Sequence, residues 1–304
     1  MAQNENLFKY PEIENRKQLR EIYVSVAIRA FAFSIVSVFV PLYLMELGHT
    51  FNEALAFLIV YFGALVFISP VSGLLSTKIG IKHVSFFGPL MTIIYMLLLF
   101  MLAKFPIPIY LVAFIGSLGM GLYWVPVNSH FARHTCIARS GQETSYLVVG
   151  ARTVSVIGPL IGGLLIMQIG FKLTFILASI VMLGSTFPFF MSYEYKSKFK
   201  YKFREMFVKK NLPYFDDFIF DGILTAVTTV IFPVYVFTLS SSYGITGAVS
   251  CLLGAGIAAS AFLMGRYTDR KGKIKMMRIG GAANLFLWML LMLVHSPAVV
   301  YALS

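Results

Sequence analysis

GLLSTKIGIK at residues 73–82 returns as GRYTDRKGKI at residues 265–274. The offset is 192 positions. VPLYL (40–44) returns as FPVYV (232–236) at the same offset, with Pro41 over Pro233 and Tyr43 over Tyr235. Two matches on one offset mark an internal repeat longer than either match. Each copy of the glycine-rich, basic stretch stands between long apolar runs.

The composition says where such runs belong. The chain has 304 residues, of which 58% are hydrophobic and only 12% charged. Soluble domains hold about 25% charged residues, so this chain lacks the polar coat a water-soluble core needs. Its apolar runs cover 22–45, 53–76, 84–103, 107–129, 144–168, 171–192, 214–239, 244–264 and 276–294, and a tenth begins near Pro297. Most reach the roughly 20 residues that a helix needs to cross a bilayer. Helices satisfy their own backbone in lipid, and the runs lack the short alternation of barrel strands. A polar tail of about twenty residues precedes the first run, with no small-residue cleavage site, so that run reads as a transmembrane helix and not a leader. The two cysteines, Cys136 and Cys251, imply no disulfide framework.

Charge orients the spans. Of 25 lysines and arginines, all but Lys104, Lys172, Arg29 and Arg152 lie in the N-terminal tail or in alternate connections, 2–3, 4–5, 6–7 and 8–9, counting Arg278 at the edge of the ninth run with the last of these. The positive-inside rule makes those connections cytoplasmic. The formal charge of +12 then points to anionic membrane lipids and not to nucleic acid, because it sits at helix ends. Residues 193–207, YEYKSKFKYKFREMF, alternate lysine with aromatic residues. They read either as a segment lying on the inner leaflet or as a solvated linker.

The offset spans six helices, so the two units run parallel, related by an axis along the membrane normal. The repeated loop resembles the signature loop of the major facilitator superfamily. The second copy carries Gly265, Asp269, Arg270, Gly272 and Lys273. The first carries Gly73, Lys78, Gly80 and Lys82, with Thr77 in place of the acid. The second glycine permits a tight turn, and the Thr77 hydroxyl is able to cap a helix. In the fifth span, Gly158, Pro159, Gly162 and Gly163 resemble the antiporter signature of drug/proton exchangers of this superfamily. Simple close packing of helices explains the same residues. Gly119 and Gly121 match paired glycines of a fourth-span signature, but Ile115 stands where that signature has arginine.

The resemblance implies an all-α polytopic membrane protein built of parallel six-helix repeats. Residues 1–193 form the first bundle with its tail, 194–212 a basic linker, and 213–304 a second bundle that is incomplete. The superfamily pattern has twelve helices, so the expectation is a fragment lacking helices 10–12. The implied function is secondary transport of a small organic solute by alternating access, with proton-coupled efflux as the leading form. Sugar or metabolite uptake and a non-transporting sensor or scaffold of the same fold are alternatives. No nucleophile, metal set or acid–base constellation suggests an enzyme, and no cofactor or metal is expected.

Several polar residues within spans are candidates for substrate or coupling. Arg29 in span 1 must face a cavity, a partner or the interface, because a charge facing lipid is costly; snorkelling is the competing explanation. Arg152 lies deeper, in span 5. Tyr123, Trp124 and Asn128 in span 4 offer an aromatic–amide lining or an interfacial belt. His130 and His134 read as loop histidines. PYFDDFIFDG (213–222) clusters Asp216, Asp217 and Asp221. Asp217 and Asp221 share a helical face, and neighbouring acids raise one another's proton affinity. Asp221 is the preferred proton-coupling residue, and Asp216 reads as a helix-end charge.

Overall fold

The computed structural model describes residues 12–135, 140–191 and 231–271, and every regular element among them is helical. The helices are α1 (Glu12–Ser37), α2 (Val40–Glu46), α3 (Phe51–Lys78), α4 (Ile81–Leu102), α5 (Ile109–His134), α6 (Ser140–Gly184), α7 (Phe232–Ser240) and α8 (Tyr243–Lys271). Among the described residues five helical segments are long and apolar enough to cross a membrane. Their outward faces are apolar: Ile59, Val66 and Phe67 on α3 are 65–77% exposed. That is the pattern of a multi-pass membrane protein, whose outer surface meets lipid.

The α6 segment accounts for two spans. A straight helix of 45 residues would run about 68 Å, twice what a bilayer core needs. The chain instead reverses at Gly170, whose φ of 78° and ψ of 171° break the helix. As a result both ends of α6 return to α1. The Tyr23 hydroxyl donates to the Glu143 carbonyl at 3.2 Å, and Ser25 Oγ donates to the Ser185 carbonyl at 2.8 Å.

The first span begins earlier than its apolar run suggests. Helix α1 starts at Glu12, so the supposed polar tail is helical from there, and Gln18 and Glu21 are buried. The span also has a joint. Helix α1 ends at Ser37, and α2 restarts from Phe39 as its N-cap with Pro41 in its first turn, where the missing N–H costs nothing.

Element starts repeat with the sequence. Helix α2 begins at Val40 and α7 at Phe232; α3 begins at Phe51 and α8 at Tyr243. Both pairs are 192 apart. Between them the chain turns at Gly48 (φ 94°) in the first case and at Ser241 (φ 50°) in the second. In the first unit, Thr50 and Glu53 form a reciprocal cap at the start of α3, with Thr50 N–H on Glu53 Oε2 at 2.7 Å.

Packing surrounds α1. It lies against α6, α4 packs on α5, α3 on α5, and α6 on α8. The main core holds Phe39, Tyr43, Phe57, Tyr61, Tyr95 and Phe175. The starts of α1, α4 and α6 and the end of α5 meet one another, as the contacts below show. The N-terminal, 2–3 and 4–5 connections therefore emerge at one end of the bundle. The linker 194–212 and the ninth and tenth runs lie outside the described residues.

Candidate functional site

Midway along the first span, Arg29 is 4% exposed. Its guanidinium carbon lies 4.4 Å from the centre of the Tyr123 ring, and 5.9 Å from those of Trp124 and Phe33. Ring faces attract a cation but accept few hydrogen bonds. Nη2 reaches Thr92 Oγ1 at 3.5 Å. Thr92 gives its own proton to the Gly88 carbonyl at 3.1 Å, which leaves a lone pair toward the arginine. Arg29 Nε is buried with no hydrogen-bond partner.

Glycines build this nest. A β-carbon on Gly88 would lie 2.6 Å from Tyr123 Cβ, and one on Gly119 would lie 2.5 Å from Thr92 Oγ1. Without side chains there, α4 and α5 approach closely enough to put Thr92 and Tyr123 around one guanidinium. Tyr123 is fixed by its hydroxyl, 3.0 Å from Ser25 Oγ.

Two expectations change here. Arg29 does not snorkel, because α1 extends past its apolar run and places the residue amid three rings. Tyr123 does not line an open surface: it is wholly buried, since its hydroxyl finds a partner inside the bundle. Trp124 is half-buried and meets Tyr123 edge-on at 5.5 Å. Asn128 and Arg152 occupy exposed positions on α5 and α6. The structure thus brings Arg29 and Trp124 together. Asp217 and Asp221 lie outside the described residues, as does Asp216.

A second polar cluster sits at the end where α1, α4 and α6 begin. Lys82 Nζ pairs with Glu21 Oε2 at 3.2 Å, both residues buried. Beside them, His130 Nε2 lies 3.0 Å from Gln18 Oε1, and His134 Nδ1 lies 2.9 Å from the His130 carbonyl. His130 and His134 are therefore not loop histidines. They stand in the last two turns of α5, both are buried, and His130 meets Gln18 of α1. The first signature loop also departs from expectation. Thr77 caps no helix; its hydroxyl donates to the Leu74 carbonyl of its own helix at 2.7 Å. Gly80 occupies the N-cap of α4 with φ 114°, a tight turn that a side chain would strain. Lys78 is exposed, and Gly73 is buried within α3. The acid that meets this loop's Lys82 comes from α1, 61 residues away. In the second copy Gly265, Asp269 and Arg270 fall within α8, while Gly272 and Lys273 lie outside the described residues.

The glycines of α6 face two neighbours. A β-carbon on Gly158 would overlap Ser34 Oγ, and one on Gly162 the Ile35 carbonyl, both on α1. On the other face, Gly163 meets the Tyr243 carbonyl and Gly247 of α8 meets the Pro159 carbonyl. Helix α6 is thereby clamped between α1 and α8. At the tip of this seam Tyr243 donates its hydroxyl to Glu46 Oε2 at 2.6 Å. Its ring stacks on Phe237 at 4.7 Å and meets Phe171 edge-on at 5.2 Å. Among the described residues no three His, Cys, Asp or Glu side chains gather as a metal site would require.

Comparison with known proteins agrees with this architecture. The family model described as Major Facilitator Superfamily matches residues 22–304. No curated protein matches. Two solved structures of a peptide transporter, POT, each in complex with sulfate, are similar in fold. One, of a mutant, has a TM-score of 0.50 at 22% identity, covering 69% of this chain and 46% of that one. The other has a TM-score of 0.50 at 20% identity, covering 84% and 53%. The chain thus spans about half the length of the transporters it matches. With repeated helix starts, a glycine-lined seam and a family match over nearly all its residues, the chain belongs to the Major Facilitator Superfamily.

Proposed function

We propose that this protein is a secondary transporter that moves a small organic solute by alternating access, with its N-terminus on the cytoplasmic side of the plasma membrane. The observation that carries this reading is the seam of α6 against α8. It joins the first unit to the second largely through glycines and backbone carbonyls, with the Tyr243 side chain as a contact at its tip. Two parallel units that rock about such a seam expose a central site to one side and then the other. The Arg29 nest is the proposed centre of solute binding or coupling. Asn128 and Arg152 are proposed to join it along the pathway. The basic connections face anionic lipids of the inner leaflet.

Proton-coupled efflux is the form of transport we propose. The 192-residue offset that superposes the repeated helix starts maps Arg29 onto Asp221 in the sequence. An intramembrane acid at the position equivalent to a buried arginine divides the work between the units, with Arg29 for the solute and Asp221 for the proton. Asp217 is the supporting acid. The test uses proteoliposomes with an imposed proton gradient, recording internal pH while a panel of lipophilic cations, organic acids and sugars is added. Solute-triggered proton movement that disappears in Asp221→Asn supports coupling through this residue. Solute flux without proton movement makes the protein a facilitator and returns Asp221 to a helix-end charge. No flux of any panel solute counts against transport by this chain.

A further inference from the structure

Arg29 is a cation held inside a membrane-spanning bundle with a donor that nothing described accepts. We infer that its guanidinium binds the anionic oxygen group of the solute, and that the solute is a small organic acid with a flat apolar body. This rests on the transport reading and names the substrate class of the same site.

The charge argument comes first. A guanidinium has five N–H donors, and the described contacts supply one acceptor, Thr92 Oγ1, at the long distance of 3.5 Å. Nε is buried and unmet. A buried charge left unpaired is strongly unfavourable. The nearest described acid on α1, Glu21, is two turns away, about 12 Å along the axis, and it holds Lys82. Glu46 is at the far end of the span and holds Tyr243. A bound carboxylate meets the need directly, since its two oxygens match the guanidinium fork.

The walls define the rest of the ligand. Tyr123, Trp124 and Phe33 surround the guanidinium with ring faces and edges, which favour an aromatic or flat aliphatic body over a sugar ring lined with hydroxyls. Trp124 and Phe33 are the half-buried members of the three and Tyr123 is wholly buried, so the solute reaches Arg29 from the side of the indole and the Phe33 ring.

Trp124 also supplies the readout. The only other tryptophan is Trp288, and in the W288F variant the intrinsic fluorescence comes from Trp124 alone. The 304-residue chain in detergent, with no membrane gradient, is titrated with benzoate, with the neutral isostere benzamide and with inorganic phosphate. Saturable quenching by benzoate, at least tenfold weaker with benzamide, is the expected result. The Arg29→Gln variant loses the benzoate response by tenfold or more, and Arg29→Lys keeps part of it. Equal responses to benzoate and benzamide overturn the inference without recourse to any variant. Quenching by phosphate and not by benzoate overturns the organic-acid assignment. A response absent from the W288F protein but present after Asp221→Asn shows that an internal carboxylate, not a solute, neutralises Arg29, and also overturns it. Because binding is read without flux, benzoate binding in a protein that moves no panel solute sinks the transport reading alone. Flux indifferent to Arg29 sinks this inference, and with it the placing of the solute site at Arg29, but leaves transport itself standing.

Discussion

Replacing Lys82 by methionine leaves the Glu21 carboxylate buried without its 3.2 Å partner. At an effective dielectric near 20, two unit charges at that separation attract by about 5 kcal/mol. Desolvation offsets much of this for the intact pair, but breaking a buried pair from one side costs about 3–5 kcal/mol. A loss of about 3 kcal/mol lowers the folded-to-unfolded ratio more than a hundredfold. The assay is reversible unfolding in mixed micelles of increasing sodium dodecyl sulfate, followed by tryptophan fluorescence. Lys82→Met and Glu21→Met are each expected to move the midpoint sharply down. The double variant is expected to recover most of the loss, because two apolar groups of similar size replace two charges. A double variant as unstable as the sum of the two singles would show that the residues do not act as a pair, and the reasoning would fail.

Two smaller perturbations test other parts of the fold. Gly80→Ala places a side chain at φ 114°, a region nearly reserved for glycine, and is expected to cost about 1–3 kcal/mol in the same unfolding assay; an unchanged midpoint would mean the 2–3 turn takes another shape. Tyr243→Phe removes the 2.6 Å hydrogen bond to Glu46, worth about 0.5–1.5 kcal/mol, and should raise opening of the seam up to roughly tenfold. Faster maleimide labelling of a Thr246→Cys reporter, in protein without Cys136 and Cys251, would register that opening, and an unaltered rate would speak against the contact as a clasp.

The spans were legible because lipid imposes one demand everywhere: a run of apolar residues long enough to cross. That demand also reveals the fold-back at Gly170, where a polar glutamine and a glycine interrupt the apolar run. The repeat was legible too, since Pro41 and Pro233 start equivalent helices on a single offset. Helix ends were not. Lys82 and His130 read as loop residues, and Gln18 as part of the polar tail, since each sits at the margin of an apolar run. Their partners lie 61 and 112 positions away in sequence, and no local periodicity encodes a meeting between the first turns of α1 and the last turns of α5. One signal was available: Lys82 stands in a loop whose usual acid is missing, and the unassigned Glu21 is the acid nearest the start of span 1. Tyr123 was misjudged for a related reason. Aromatic residues near a span end fit an interfacial belt, yet this one turns inward, because Ser25 and Arg29 on α1 supply a partner for its hydroxyl and a charge for its ring.

Bridging the seam tests alternating access most directly. In protein lacking native cysteines, Glu46→Cys and Tyr243→Cys are joined by a short bis-methanethiosulfonate reagent, across positions whose native side chains touch at 2.6 Å. Uptake of whichever panel solute the unbridged protein moves in proteoliposomes is then measured before bridging, after it, and after reduction. Our account predicts that uptake stops when the bridge forms and returns when it is reduced. Undiminished uptake with the bridge intact would show that the two units need not part at this seam, and would contradict it.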